Sequence, residues 1–206
     1  MARGESPVHV IDAHEPSREA LTRRLRAEGL ICRAYANSAS FLARLEGAHR
    51  GCVVARLPIP DQDVGALIGG LRERGASLPV IVIAGNADVR LAVKVMKAGA
   101  ADFIEEPVDH DQLLAAVAEG LLAARSMDEL AQARLEAIRR KRALTDRERQ
   151  VLAGIMEGRS SRQIGERLGI SPRTVEIHRA HLMAKMRAAA LPDLVKMALL
   201  ADMAAA

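Results

Sequence analysis

Residues 79–107 read PVIVIAGNADVRLAVKVMKAGAADFIEEP. Val80–Ala84 is a short apolar run, closed by Gly85-Asn86, which reads as a turn. Val89–Ala98 has a helical pattern, and Asp102–Ile104 is a second short strand-like run. Strands this brief and this apolar, bounded by turn or charged residues, are those buried on both faces of a sheet. Outward from this unit the alternation repeats. Val8–Ile11, Ile31–Ala36 and Cys52–Ala55 read as strands, and Pro16–Glu28, Ser38–Leu45, Val64–Arg74 and Asp109–Ala123 as helices. In the first helix Leu21 and Leu25 share an apolar stripe while Arg18, Arg23, Arg24 and Arg26 ring the other side. Five strands, each followed by a helix, predict an α/β domain with a five-stranded parallel, doubly wound, flavodoxin-like sheet over residues 1–125. Functional groups in such a sheet gather at the carboxyl ends of the strands.

From Ser126 the strand signals stop. Residues 126–142 read as a helical linker with a basic end, either continuous with the preceding helix and able to pair with a second copy, or a solvated charged connector. Residues 143–206 are helical throughout. Thr145 with Glu148 forms a capping box, and that helix runs to Gly158. Ser161 opens the next helix and Gly169 closes it. Ser171-Pro172 starts a third, and Pro192 leads into a last one over Asp193–Met203. Two short helices joined by a tight glycine turn inside a small basic domain read as a helix-turn-helix.

Composition narrows the function. The chain has 206 residues, 50% hydrophobic and 27% charged, a balance that excludes a disordered or collagen-like chain. No apolar run approaches the ~18–20 residues of a membrane span, and MARGESPVHVID lacks the apolar core of a secretion signal. Cys32 and Cys52 form no metal or redox motif and read as buried thiols. A soluble cytoplasmic protein with no membrane contact is expected. Tyr35, Phe41 and Phe103 are the only aromatic residues, too few to stack single-stranded bases. Residues 1–125 carry 15 Lys/Arg against 16 Asp/Glu, and residues 126–206 carry 15 against 10. A near-neutral front and a basic back point to a regulatory module joined to one that binds a polyanion.

The segment LTDRERQVLAGIMEGRSSRQIGERLGISPRTVEIHRAHLMAKM (144–186) closely resembles the LuxR/FixJ-type DNA-binding domain of bacterial response regulators. The match is carried by Leu144-Thr145, Arg147-Glu148, Gly158, Ile164, Leu168, Ser171, Thr174-Val175, His178 and Lys185. Ser161 and Gly165 stand where that family usually has Asn and Ala. The resemblance implies a recognition helix over Pro172–Met186 that enters the major groove of double-stranded DNA. Its DNA-contacting set would be Ser171, Arg173, Thr174, Val175, Glu176, Ile177, His178, Arg179, Ala180 and Lys185. Glu176, Ile177 and Ala180 would face base edges, and Ser171, Arg173, Thr174, Arg179, Lys185 and Arg187 would meet phosphates. His178 and His181 lie three apart but lack a third ligand, so no metal is expected. The last helix is core, or, as in the family, a homodimer contact.

HVIDAHEPSREAL (9–21), GCVVARLPIPDQD (51–63) and LPVIVIAGNADVRLAVKVMKAGAADFIEEPVDHDQLLAAV (78–117) together resemble a FixJ-type receiver domain. Such receivers are phosphorylated on an aspartate ending the third strand. An acidic pair after the first strand holds Mg²⁺, a Thr or Ser ends the fourth, and a Lys precedes Pro after the fifth. Here those positions hold Arg56, Asp12 with Ala13, Ala84 and Glu106. Arginine accepts no phosphoryl group, and its fixed charge repels Mg²⁺. The expectation is a degenerate pocket of Asp12, Ala13, Arg56, Ala84 and Glu106, with no phosphoacceptor, no catalytic residue and no cofactor. Either Arg56 forms a salt bridge with Glu106, Asp12 or both, or the pocket drifted after loss of a kinase. Phe103, at the family's aromatic switch position, reads as packing, and His14 as a surface loop residue with a ligand or pH-sensing role as the alternative.

The function implied is a DNA-binding transcriptional regulator, not an enzyme, working without aspartyl phosphorylation through dimerisation or a protein partner on the receiver face. The alternatives are phosphorylation at a nearby acid such as Asp61 or Asp63, a partner-binding adaptor, and a small-ligand or enzymatic flavodoxin-like domain. No nucleophile or metal constellation supports the last.

Overall fold

A computed structural model describes residues 6–45, 50–59, 63–85 and 89–203. Asp61 and Asn86 lie outside these residues. The chain divides into two compact units, Met1–Asp128 and Glu129–Ala206, and the division falls inside one helix.

In the first unit the elements run β1 (Val8–Ile11), α1 (Glu15–Ala27), β2 (Cys32–Tyr35), α2 (Ser38–Ala43), β3 (Cys52–Leu57), α3 (Val64–Glu73), β4 (Val80–Ala84), α4 (Val89–Ala98), β5 (Asp102–Glu105) and α5 (His110–Arg142). All strand pairs are parallel, in the order β2-β1-β3-β4-β5. This is the five-stranded flavodoxin-like sheet expected from the sequence. Side chains alternate between its two faces. Ile11, Val53, Ala55, Val80 and Val82 pack with residues of α2, α3 and α4. Val8, Val10, Cys52, Val54, Ile81 and Ile83 pack with Leu21 and Leu25 of α1 and Leu113 and Val117 of α5. Burying each of these larger aliphatic side chains is worth roughly 1.5–3 kcal/mol.

Element boundaries differ from the sequence reading by one or two residues, and the linker joins the helix before it. β3 runs two residues further, to Leu57, so Arg56 lies within the sheet in register with Ile83 of β4. β2 is shorter at both ends. α5 continues through residues 126–142 as one helix of 33 residues. After Gly120 that stretch holds no Gly or Pro until the helix ends, so nothing in it breaks the backbone pattern.

The second unit holds the end of α5, then α6 (Asp146–Met156), α7 (Ser161–Leu168), α8 (Pro172–Met186) and α9 (Leu191–Asp202). Each start is chemically marked. Thr145 with Glu148 and Ser160 with Gln163 form capping boxes, and Ser171 caps α8 ahead of Pro172. Gly169 ends α7 at φ +66°, a left-handed conformation suited to glycine that makes the tight turn into α8. Val151, Leu152, Ile164, Val175, Leu182, Met186 and Leu194 form the core. Among the described residues no helix is long and apolar enough to cross a membrane.

Candidate nucleic-acid interface and strand-end pocket

The sheet order brings the carboxyl ends of β1 and β4 to either side of that of β3, with β5 next beyond β4. Asp12 follows β1 directly and is 2% exposed. Arg56 Nε lies 2.9 Å from Asp12 Oδ2, and Arg56 Nη1 pairs with Glu106 Oε1. The guanidinium therefore sits between two carboxylates. The Nε–H is not aligned on Oδ2, so that contact is a charge pair without hydrogen-bond geometry. Asp12 Oδ1 accepts the backbone N–H of His14 at 2.8 Å, and the Asp12 carbonyl accepts from Arg18 at 2.7 Å.

Glu106 reaches the pocket because its N–H donates to the Ala84 carbonyl at 2.9 Å and because Gly85 has no side chain. A Cβ at Gly85 would lie 2.8 Å from Glu106 Oε2. Ala13 is exposed and Ala84 buried, and neither offers a side-chain oxygen. Phe103 packs partly buried against the α3–α4 side of the core. His14 is the N-cap of α1, its ring nitrogen accepting from the Ser17 N–H, which gives it a helix-capping role. Asp63 caps α3 in the same way, accepting from Ala66 N–H at 2.8 Å, and it pairs with Lys94. The Ala66 hydrogen bond, with Lys94 nearby, holds the Asp63 carboxyl below its usual range.

In the second unit α8 presents Arg173, Glu176, Ile177, Ala180, His181 and Ala184 to solvent, while Val175, Leu182 and Met186 face the core. One residue of the expected DNA-contacting set is corrected here. Val175 is fully buried between α8 and the rest of its unit, so its side chain has no access to DNA. Lys185, 38% exposed, donates at 2.7 Å to Glu148 Oε2. Glu148 is 3% exposed. Burial alone would raise its pKa. Hydrogen bonds from Lys185 and from the N–H and hydroxyl of Thr145 outweigh that and hold it below the usual carboxylate range.

Ser171 and Thr174 share a hydroxyl hydrogen bond of 2.8 Å at the start of α8. Arg179 and His178 are half-buried. The Glu176 carboxylate meets the Ser161 hydroxyl of α7 and, at 3.7 Å, Arg179. The Ser161 contact has no signature in the sequence because it forms across the turn. The basic end of α5 is also placed. Arg140 donates to the Met186 carbonyl at 3.1 Å, Arg134 to the Met203 carbonyl, and Lys141 pairs with Asp202. Cations at the carboxyl ends of α8 and α9 suit the negative ends of those helix dipoles. Among the described residues no three His, Cys, Asp or Glu side chains form a metal-binding group.

Comparison with known proteins agrees with both halves. The response regulator receiver domain model matches residues 8–118, and the model for bacterial regulatory proteins of the luxR family matches residues 142–198. The chain belongs to the receiver-bearing response regulators with a LuxR-type helix-turn-helix, and is a DNA-binding transcriptional regulator of the FixJ type. It is 44% identical over 200 residues to the transcriptional regulatory protein FixJ of Azorhizobium caulinodans, covering 97% of this chain and 95% of that one. The solved response regulator StyR superposes with a TM-score of 0.81 at 28% identity, covering 94% of this chain and 98% of that one. Full-length FixJ from B. japonicum gives 0.56 at 33% identity, covering 98% and 99%.

Proposed function

We propose that this regulator works without aspartyl phosphorylation of its receiver unit, and that Arg56 holds the strand-end pocket in one fixed electrostatic state. The observation that carries the reading is the Arg56 guanidinium lying between the carboxylates of Asp12 and Glu106. An ordinary receiver balances acidic ligands with Mg²⁺, a phosphoryl group and a lysine. Here a single bidentate-capable cation from the end of β3 balances two acids from the ends of β1 and β5. The residues do not fit Mg²⁺, which takes oxygen ligands in octahedral geometry. Asp12 is the one carboxylate left of the acidic pair, and its Oδ2 already faces a fixed positive charge.

DNA is bound through α8. Glu176, Ile177 and Ala180 form the face toward the bases, while Ser171, Arg173, Thr174, Arg179, Lys185 and Arg187 position the domain on phosphates. The chain acts as a homodimer, with the exposed apolar side chains of Leu191 and Leu199 on α9 and of Met203 just after it as the contact. Control then lies in protein concentration, or in a protein partner on the receiver face.

The test is fluorescence anisotropy on a labelled duplex selected from a random pool, at fixed salt because phosphate contacts depend steeply on it. Binding is measured with and without Mg²⁺ and a small phosphodonor, beside an R56D variant and an L199R variant. Unchanged affinity on adding donor, with weaker and less cooperative binding by L199R, is the expected result. A donor-dependent gain in the unmodified protein would show that another residue accepts phosphate and would overturn the reading.

A further inference from the structure

The exposed face of α8 carries an acid. Glu176 stands between Arg173 and Ala180 on the surface that would meet a polyanion, and its side chain is 56% exposed. Against generic DNA a carboxylate there is unfavourable, since every phosphate repels it. It gains only where a base offers a hydrogen-bond donor in the major groove. Cytosine presents the N4 amino donor, whereas guanine presents two acceptors and thymine an acceptor and a methyl group.

The carboxylate is anchored at one of its two oxygens. Both of its contacts, the Ser161 hydroxyl and the Arg179 guanidinium, fall on Oε1. Ser161 is the first residue of α7, so a helix that does not itself present the reading face reaches across the Gly169 turn to fix the side chain. Oε2 takes neither contact. One tied oxygen and one untied oxygen make a single-acceptor reader, which suits the single donor of cytosine better than the donor and acceptor pair of adenine.

We propose that Glu176 makes this domain select cytosine at one position of its site, and that Ser161 is the positioning residue that sets this selectivity. The proposal rests on the reading of α8 as the DNA-recognition helix. Selection from a random double-stranded pool, followed by sequencing, is carried out with the full-length protein and with the S161A, S161T, E176Q and E176A variants. Circular dichroism melting confirms that each variant is folded.

The unmodified protein enriches a motif with cytosine in one column of each half-site. E176Q moves that column toward adenine, because an amide offers the donor and acceptor that adenine requires. E176A flattens it. S161A keeps every other column and lowers the cytosine preference about three- to tenfold, and S161T, which retains the hydroxyl, restores it. A purely structural role for Ser161 would lower affinity evenly without touching one column. If S161A leaves the column intact while E176Q changes it, the role of Ser161 is overturned. If no column responds to E176Q, the role of Glu176 is overturned as well. If the unmodified protein enriches no motif at all, the DNA-reading assignment of α8 fails and the proposal with it.

Discussion

Replacing Arg56 with alanine tests the electrostatics of the pocket directly. The Asp12 side chain is 3% exposed and lies 2.9 Å from the guanidinium. At an effective dielectric of ~20 that separation corresponds to a gross attraction of about 6 kcal/mol. Desolvation offsets much of this in the intact protein, but truncating Arg56 leaves the carboxylate buried with only the His14 N–H as partner. Stranding one member of a buried pair costs about 3–5 kcal/mol. Arg56 is itself partly exposed, so water enters the vacated space and the lower end, about 3 kcal/mol, applies. Glu106 is 35% exposed and adds under about 1 kcal/mol. The readout is urea unfolding followed by tyrosine fluorescence. The chain has one tyrosine and no tryptophan, and Tyr35 is buried at the end of β2, so the signal belongs to the first unit alone. With an m-value of roughly 2 kcal/mol/M the midpoint falls by about 1.5 M. The double variant R56A/D12N removes the stranded charge and recovers most of the loss. A midpoint for R56A within about 0.3 M of the unmodified protein would refute the argument.

Three further outcomes follow from the same geometry. His9 is 4% exposed against Tyr35 and Phe41, and burial lowers its pKa from 6.5 to about 4, aided by Arg33 and opposed by a hydrogen bond to the Arg50 backbone. Because the folded value is the lower one, stability is complete above pH 6.5 and falls by about 3 kcal/mol as pH drops to 4. Tyr35-monitored unfolding at several pH values measures this, and an H9F variant that keeps the same slope would count against it. In the second unit, K185M removes the counter-charge of Glu148 and costs about 2–3 kcal/mol. The Glu148 pKa rises in that variant, so the stability it now contributes above pH ~4.5 is lost earlier on acidification. A carboxyl titration by NMR that does not move would exclude the pairing. Gly51 has φ +106°, and a Cβ there would lie 1.9 Å from the Pro7 carbonyl oxygen, whereas one at Gly75, φ +67°, meets nothing within 4 Å. G51A is expected to lose more than about 3 kcal/mol and G75A about 1 kcal/mol in the same assay, and equal losses would contradict the steric reasoning.

The sheet was legible because five short apolar runs alternate with helical patterns, and the pocket positions of Asp12, Arg56, Ala84 and Glu106 followed from the resemblance to receiver domains. What the strand pattern could not supply was the length of β3. Arg56 is charged, so an apolar run stops before it, yet it pairs with Ile83 because two carboxylates receive its head group. On α8 the motif named the helix but not its faces. Val175 and Ile177 lie two positions apart, about 200° around the helix, so one is wholly buried and the other 51% exposed; which of the two faces turns inward is decided by packing within the unit. Lys185 resembles any basic residue near DNA until its partner is known. That partner, Glu148, carries a visible capping signature, but the second bond it makes spans 37 positions of sequence.

The acid–base exchange at the strand ends also constrains the order in which substitutions can accumulate. Asp12, Arg56 and Glu106 together carry a formal charge of −1. R56D alone takes the cluster to −3, three carboxylates with no cation among them, and E106K alone sets a lysine against Arg56 at +1. Either single step places like charges at contact distance in a site where Asp12 is already shut away from water. Only the two changes together return the cluster to −1. Sites coupled this closely do not combine additively, so reversing the Arg56–Glu106 exchange as a double replacement is expected to cost less than the sum of its two single steps.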